Sequence, residues 1–492
     1  MRIPSVEALI AGARVTLARF PLVLLSAFVA TGAGLSLIGS DGDRGLRLML
    51  VSALGISLFT ALTLLSERRA RTTLARAGIL AAGVLILFVF YIAWPNWTET
   101  VQGTRFLQLA VAFHLAVAVL PFLGYRKPNG FWQYNLALFT RILLAALYAF
   151  VLFIGLAIAL AAVDQLLGIN IEEENYVRLA MLIGFVFSTW FFLAGVPKDL
   201  DRLEGVTDYP TGIKTFTQYV LIPIVVIYLL ILTAYLGKII VTQVWPSGWI
   251  GWLVSCVSVA GILALLLVYP IAEREENRWI ATYSRGFYLA LLPSLGMLWL
   301  AIGKRIAQYG FTEQRYFLAA LSAWLTVVAL FFGFRRSRDI RIIPATLLLL
   351  ALFTFIGPWS AYQVSRQSQR GRLEEILTRH GMMTGDQVVP AAEPVPLEDR
   401  REIAAVLRYL VGTHGPDAVA WLGDVPASAD TTRRYPPGDT RAKEIMQALN
   451  LDYVERYAGR TDILNWSRPG PEGALDVRGY DYVVPLQFHS LR

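Results

Sequence analysis

Cysteine is almost missing from this chain. One occurs in 492 residues, Cys256, and it sits inside an apolar block. An internal disulfide is therefore excluded, and so is any paired-cysteine metal or redox site. Histidine is nearly as scarce: His114, His380, His414 and His489 show no metal-ligand spacing. Charge is thin as well, at 16% of residues against roughly a quarter in a soluble protein. No phosphate-binding glycine loop, zinc motif, nucleophile elbow or dinucleotide fingerprint occurs. We expect no cofactor, no metal and no assignable catalytic residue.

What the chain has instead is apolar length. Residues are 56% hydrophobic, gathered in blocks rather than spread with a surface-helix period. The run Phe216–Val241 holds 26 residues. At 1.5 Å per residue it makes a helix of about 39 Å, enough to cross a hydrocarbon core of roughly 30 Å with tilt. Eleven such runs are read as spans: Phe20–Ile38, Leu48–Leu65, Ala77–Trp94, Phe106–Leu123, Leu136–Val163, Val177–Val196, Phe216–Val241, Trp249–Tyr269, Phe287–Gly303, Tyr316–Gly333 and Ile342–Pro358. The ninth and eleventh are short enough for a tilted or re-entrant course. The fold class expected is α-helical transmembrane, about 11 spans, with a small α+β extramembrane domain at the C-terminus.

The charges give orientation. Residues 1–358 carry 28 Lys+Arg against 18 Asp+Glu, and residues 359–492 carry 16 against 18. The basic surplus thus lies in the loops of the apolar part, which points to topology and away from nucleic acid. With the N-terminus inside, the inner segments hold 19 basic residues and the outer loops seven. An odd span count then puts the C-terminal domain outside. Residues 1–19 read as an amphipathic cytoplasmic tail, with Val6, Leu9, Ile10, Ala13 and Leu17 on one helical face. Residues 20–358 form the membrane domain, and 359–396 a helical connector followed by a linker with Pro390 and Pro394. Residues 397–492 form the small soluble domain. In it Ile403, Val406, Leu407 and Leu410 predict one helix, Arg441–Leu449 a second, and Tyr480–Phe488 a strand. The chain stops soon after that strand, so we expect the domain to continue beyond it.

Several stretches resemble one bacterial family. They are YPTGIKTFTQYVLIPIVVIYLLILTAYLGKI (Tyr209–Ile239), RIAQYGFTEQRYF (Arg305–Phe317), GPWSAYQVSRQSQRGRLEEIL (Gly357–Leu377) and GYDYVVPL (Gly479–Leu486). The chain resembles the polytopic family called domain of unknown function 4153, most specifically over residues 190–380. That resemblance implies a multi-span inner-membrane protein with a trailing polar domain, and no particular chemistry.

Three groups of side chains are candidates. The outer loop around Arg305, Tyr309, Thr312, Glu313 and Arg315 has the chemistry to hold a lipid headgroup, an anionic substrate or an envelope partner. The plainer account is a solvated loop whose acid pairs with an arginine. Lys238 and Tyr235 lie near the outer end of the seventh span, where Lys238 is either functional or snorkelling. His114, mid-span, needs a partner, by a bond across helices or in a proton relay. Pro223 is expected to kink its span and free a carbonyl. Asp41 and Asp43, in the first outer loop, have the placement of an acid in a lipid-linked transferase, or simply make a turn. Three functions follow: a non-enzymatic envelope scaffold, sensor or assembly partner; a transporter or lipid-translocating protein with a cavity beside the seventh span; or a transferase using the outer-loop acids.

Overall fold

The computed structural model describes residues 6–38, 42–94, 98–243, 249–272, 274–335, 339–385, 387–423 and 438–455. Among them, nine helices are long and apolar enough to cross a membrane, or ten if one bent pair makes a single span. The chain is a helical membrane protein.

In chain order the helices are α1 (Val6–Arg19), α2 (Pro21–Leu35), α3 (Asp43–Arg69), α4 (Thr73–Ala93), α5 (Glu99–Val119), α6 (Pro128–Leu167), α7 (Glu173–Ala194), α8 (Thr211–Thr242), α9 (Trp249–Val268), α10 (Trp279–Tyr309), α11 (Glu313–Phe334) and α12 (Ile342–Phe353). Each coincides with one expected apolar run except α1. The first and last runs are the ones that depart from a simple span. Phe20 leaves helical geometry ahead of Pro21, and α1 and α2 meet at 100°. Proline has no N–H to continue the ladder, so a break falls there. Arg19 holds the corner, donating to both oxygens of Glu67 at 2.9 Å and to the carbonyls of Val196 and Pro197. At the other end, α12 has 12 helical residues, too few to cross alone.

Helix interiors satisfy their own polar groups, as an apolar solvent demands. Ser26, Thr31 and Thr60 each donate to the carbonyl four residues back. Pro223 follows a turn, Thr217–Leu221, that is widened to a π-helix, with the Ile222 N–H donating to the Thr217 carbonyl. A second π segment, Leu182–Phe187, interrupts α7.

Two cores organise the membrane part. The first joins α2, α3, α5 and α6, around Phe20, Leu64, Phe122 and Tyr134. The second joins α8, α9, α10 and α11, around Leu232, Val254, Leu291 and Leu325. Short α12 lies between them: Leu348 belongs to the first core and Ile343 to the second. Trp132 of α6 also crosses the gap, donating to the Leu266 carbonyl and stacking on Tyr209.

After α12 come α13 (Ala361–Arg379), the two-residue antiparallel strands β1 (Met383–Thr384) and β2 (Gln387–Val388), α14 (Leu397–His414) and α15 (Gly438–Ala448). Leu373 and Leu377 of α13 share a core with Ile403, Leu407 and Leu410 of α14 and with Ile445 and Met446 of α15. The proline-bearing segment is pinned to this unit by Ala391, whose N–H donates to the Leu449 carbonyl. The described part of this unit is helical apart from the β1–β2 pair. The expected strand Tyr480–Phe488 lies outside the described residues.

Candidate functional site

The densest cluster of chemistry forms where α14 meets the membrane helices. It begins with the turn between α10 and α11. Gly310 has φ +66, a left-handed conformation that suits glycine and reverses the chain. Arg315, one turn into α11, donates back to the carbonyls of Tyr309 and Gly310 at 3.1 and 2.8 Å, capping the end of α10. From the other side, Gln369 of α13 donates to the carbonyls of Tyr309 and Phe311, and the Phe311 N–H donates to Ser368 Oγ. The carbonyls of Tyr309, Gly310 and Phe311 are therefore all claimed by protein.

That rigid turn presents Glu313 at the N-terminus of α11, where the helix dipole favours a carboxylate. Tyr409 Oη donates to Glu313 Oε2 at 2.6 Å, and His414 Nε2 lies 3.0 Å from Oε1. The side chains of His414 and Glu313 are only 7% and 13% exposed. Glu313 Oε1 has no well-directed hydrogen bond, and the His414 ring nitrogen is the polar group that stands nearest to it. Tyr409 and His414 reach the same acid because α14 ends there: His414 is its last residue, followed by Gly415 at φ +85. Burial, and next the Glu313 charge, push the Tyr409 phenol well above its ordinary value, so it stays a donor.

The surrounding contacts seat the same end of α14. Thr98, the N-cap of α5, donates to the Thr413 carbonyl. Tyr362 of α13 donates to Gln108 Oε1, while Gln108 Nε2 donates to Thr354 Oγ1 and to the Ala351 carbonyl. The Arg105 guanidinium lies 4.2 Å over the Tyr362 ring. Three membrane helices and the first helix beyond them thus converge on one seat.

Of the sequence candidates, this seat gathers Arg305, Tyr309, Thr312, Glu313 and Arg315. Glu313 pairs with a histidine and a tyrosine about 100 residues away, not with an arginine. Thr312 precedes α11 without a side-chain cap bond. Tyr309 is 56% exposed, with the Arg315 and Arg372 guanidinia over its ring at 5.5 and 5.9 Å. Arg305 is exposed and has no ion-pair partner among the described residues. Sequence reasoning missed Tyr409, His414 and Gln108. Their only signal was that polar groups stand on otherwise apolar faces.

The other candidates lie elsewhere. Lys238 is exposed on α8, its carbonyl accepting from Thr242 Oγ1 and its ammonium without an ion-pair partner among the described residues, and Tyr235 packs half-buried against the second core. His114 is exposed on α5, and its Nδ1 meets the Ala110 carbonyl at 2.7 Å. The expected bond across helices is thus replaced by one within the helix. Asp43 opens α3, while Asp41 lies outside the described residues. One half-open cavity is lined by residues of α6, α9, α10, α11 and α12 and by none of Thr211–Thr242.

With this geometry in place, the comparisons with known proteins can be weighed. An uncharacterised protein of Pasteurella multocida is 26% identical over 386 residues, covering 76% of this chain and 62% of that protein. The match thus spans about three fifths of the relative's length. No solved structure matches. Residues 15–387 match the family described as domain of unknown function DUF4153, and the chain belongs to that family.

Proposed function

We propose that this is a multi-pass protein of the bacterial inner membrane that acts without enzymatic chemistry, as an envelope sensor or scaffold. The reading counts eleven spans, taking α1–α2 and α12 as irregular members, and sets the N-terminus inside. The 19-to-seven bias of basic residues supports that orientation. The C-terminal unit then faces the periplasm as a small α+β domain. The observation that carries the reading is the seat of α14 on α11: a nearly buried Glu313–His414 pair, with Tyr409 beside it, joins that domain to the membrane helices. A domain tied to the bundle by one titratable contact can pass a change in its own occupancy to the helices beneath, and the exposed Arg305 and Tyr309 offer a lipid headgroup or an envelope protein a place beside it.

Labelling tests the placement. Ala448 is exposed at the end of α15. An Ala448→Cys variant in a Cys256→Ala background is treated with a membrane-impermeant maleimide after permeabilising the outer membrane. Labelling of intact cells is expected. Labelling only after lysis would move the domain to the cytoplasm and remove the envelope role.

A further inference from the structure

At the end of the bundle opposite the α14 seat lies a half-open cavity of about 1230 Å³. It sits where the two cores part, between the start of α6, the end of α9, the start of α10 and the end of α11. Its wall has two kinds of surface. The deeper part is apolar, formed by Leu265, Leu289, Phe332 and Ile343. The rim carries three arginines, Arg274, Arg285 and Arg335, from two helix ends and a loop.

Those arginines are unmatched. None has a carboxylate within ion-pair distance among the described residues, although Arg335 leans on the Phe331 ring at 5.8 Å. The acid that lines the cavity, Glu204, is already engaged: its Oε2 accepts from the Gly130 N–H at 2.6 Å. Asn129 and Gln133 are spent too, donating to the carbonyls of Glu204, Val206 and Asp208. A further arginine at this end, Arg341, shows the contrast, since it binds both oxygens of Asp339 at 2.6 and 2.7 Å. Topology accounts for basic residues being on this side. It does not account for three of them lining one cavity with no carboxylate partner among the described residues.

We propose that this cavity binds a phosphate-bearing anionic amphiphile, its phosphate on Arg274, Arg285 and Arg335 and its hydrocarbon along Leu265, Leu289 and Phe332. Arginine suits this ligand because its planar fork meets phosphate oxygens two at a time. The cavity's place at the end of a bundle of membrane-spanning helices makes a membrane lipid the source. The inference does not depend on the sensor reading.

The test uses the full chain purified in a neutral detergent. Binding of dioctanoyl phosphatidic acid, dioctanoyl phosphatidylcholine and inorganic phosphate is compared by native mass spectrometry and competition. Phosphatidic acid is expected to bind at least about tenfold more tightly than either of the others. Each single change Arg274→Gln, Arg285→Gln or Arg335→Gln is expected to weaken it by about tenfold. Leu289→Trp, which fills the apolar part and leaves the arginines in place, is expected to weaken it as well, so the result does not hang on one variant folding. Equal retention of phosphatidic acid and phosphatidylcholine, or arginine variants that bind like the parent, would overturn the site. Inorganic phosphate binding as tightly as phosphatidic acid would overturn the amphiphile.

Discussion

His414 Nε2 stands 3.0 Å from Glu313 Oε1, so the last residue of α14 meets the first residue of α11 across 100 positions of chain. Both side chains are largely withdrawn from solvent, and Tyr409 closes the other carboxylate oxygen. An acid buried to this degree is tolerated only with partners in place. The contact therefore ties the seat of α14 to Glu313 keeping both of its partners.

One consequence is a dependence on alkaline pH. The Tyr409 phenol is raised above its ordinary value of about 10, first by burial and then by the Glu313 charge. A raised value means its contribution is present in full below about pH 10 and is lost as pH climbs beyond that toward the folded value. The thermal midpoint of the purified protein should fall above pH 10 more steeply in the parent than in Tyr409→Phe. Identical curves would mean that Tyr409 is not held in the folded protein as described.

Arg19 makes a second, independent prediction. It spans Glu67 and two carbonyls at once, using a planar fork that lysine lacks. Arg19→Lys should lower unfolding free energy by about 2 kcal/mol, measured by titrating SDS into mixed micelles. A change within experimental error would mean that the corner between α1 and α2 is held by the break at Pro21 alone.

Close packing of α9 on α10 gives a third. A methyl group at Gly261 would fall 2.0 Å from Phe287 Cε2, inside a ring that is itself buried. Gly261→Ala should destabilise by about 1–3 kcal/mol, because a packed aromatic has nowhere to move. Adding Phe287→Leu should restore part of the loss. A double variant no more stable than Gly261→Ala would show that the ring is not the obstacle.

These contacts also show what a sequence can reveal in this kind of protein. Hydropathy located α3 to α11 because a lipid-facing helix must be apolar along its whole length, whatever it touches. It overran at both ends for local reasons. The first run holds only α2, which Pro21 opens at 100° to α1 and which stops at Leu35, short of the expected Ile38; α12 stops after Phe353, short of the expected end at Pro358. The turn at Arg305–Arg315 was legible as unusually polar. Its partner was not, since Tyr409 and His414 lie in a separate helix and no local pattern joins them to Glu313. His114 shows the converse. Sequence marks a polar residue mid-span, but only the fold decides that it faces outward and satisfies itself on Ala110. The basic loops were read as a count of charges, and their meeting around a cavity is a property of the packing alone.

The contact between α14 and α11 is tested most directly by a double-mutant cycle on Glu313→Gln and His414→Gln. The readout is the free energy of opening α14, from native-state hydrogen exchange of the full chain in membranes near neutral pH. Each single change should cost about 2 kcal/mol of protection, and the pair should cost much less than the sum, with a coupling of about 1–2 kcal/mol. Strictly additive losses, or an α14 that is unprotected in the parent, would contradict a docked C-terminal unit held through Glu313.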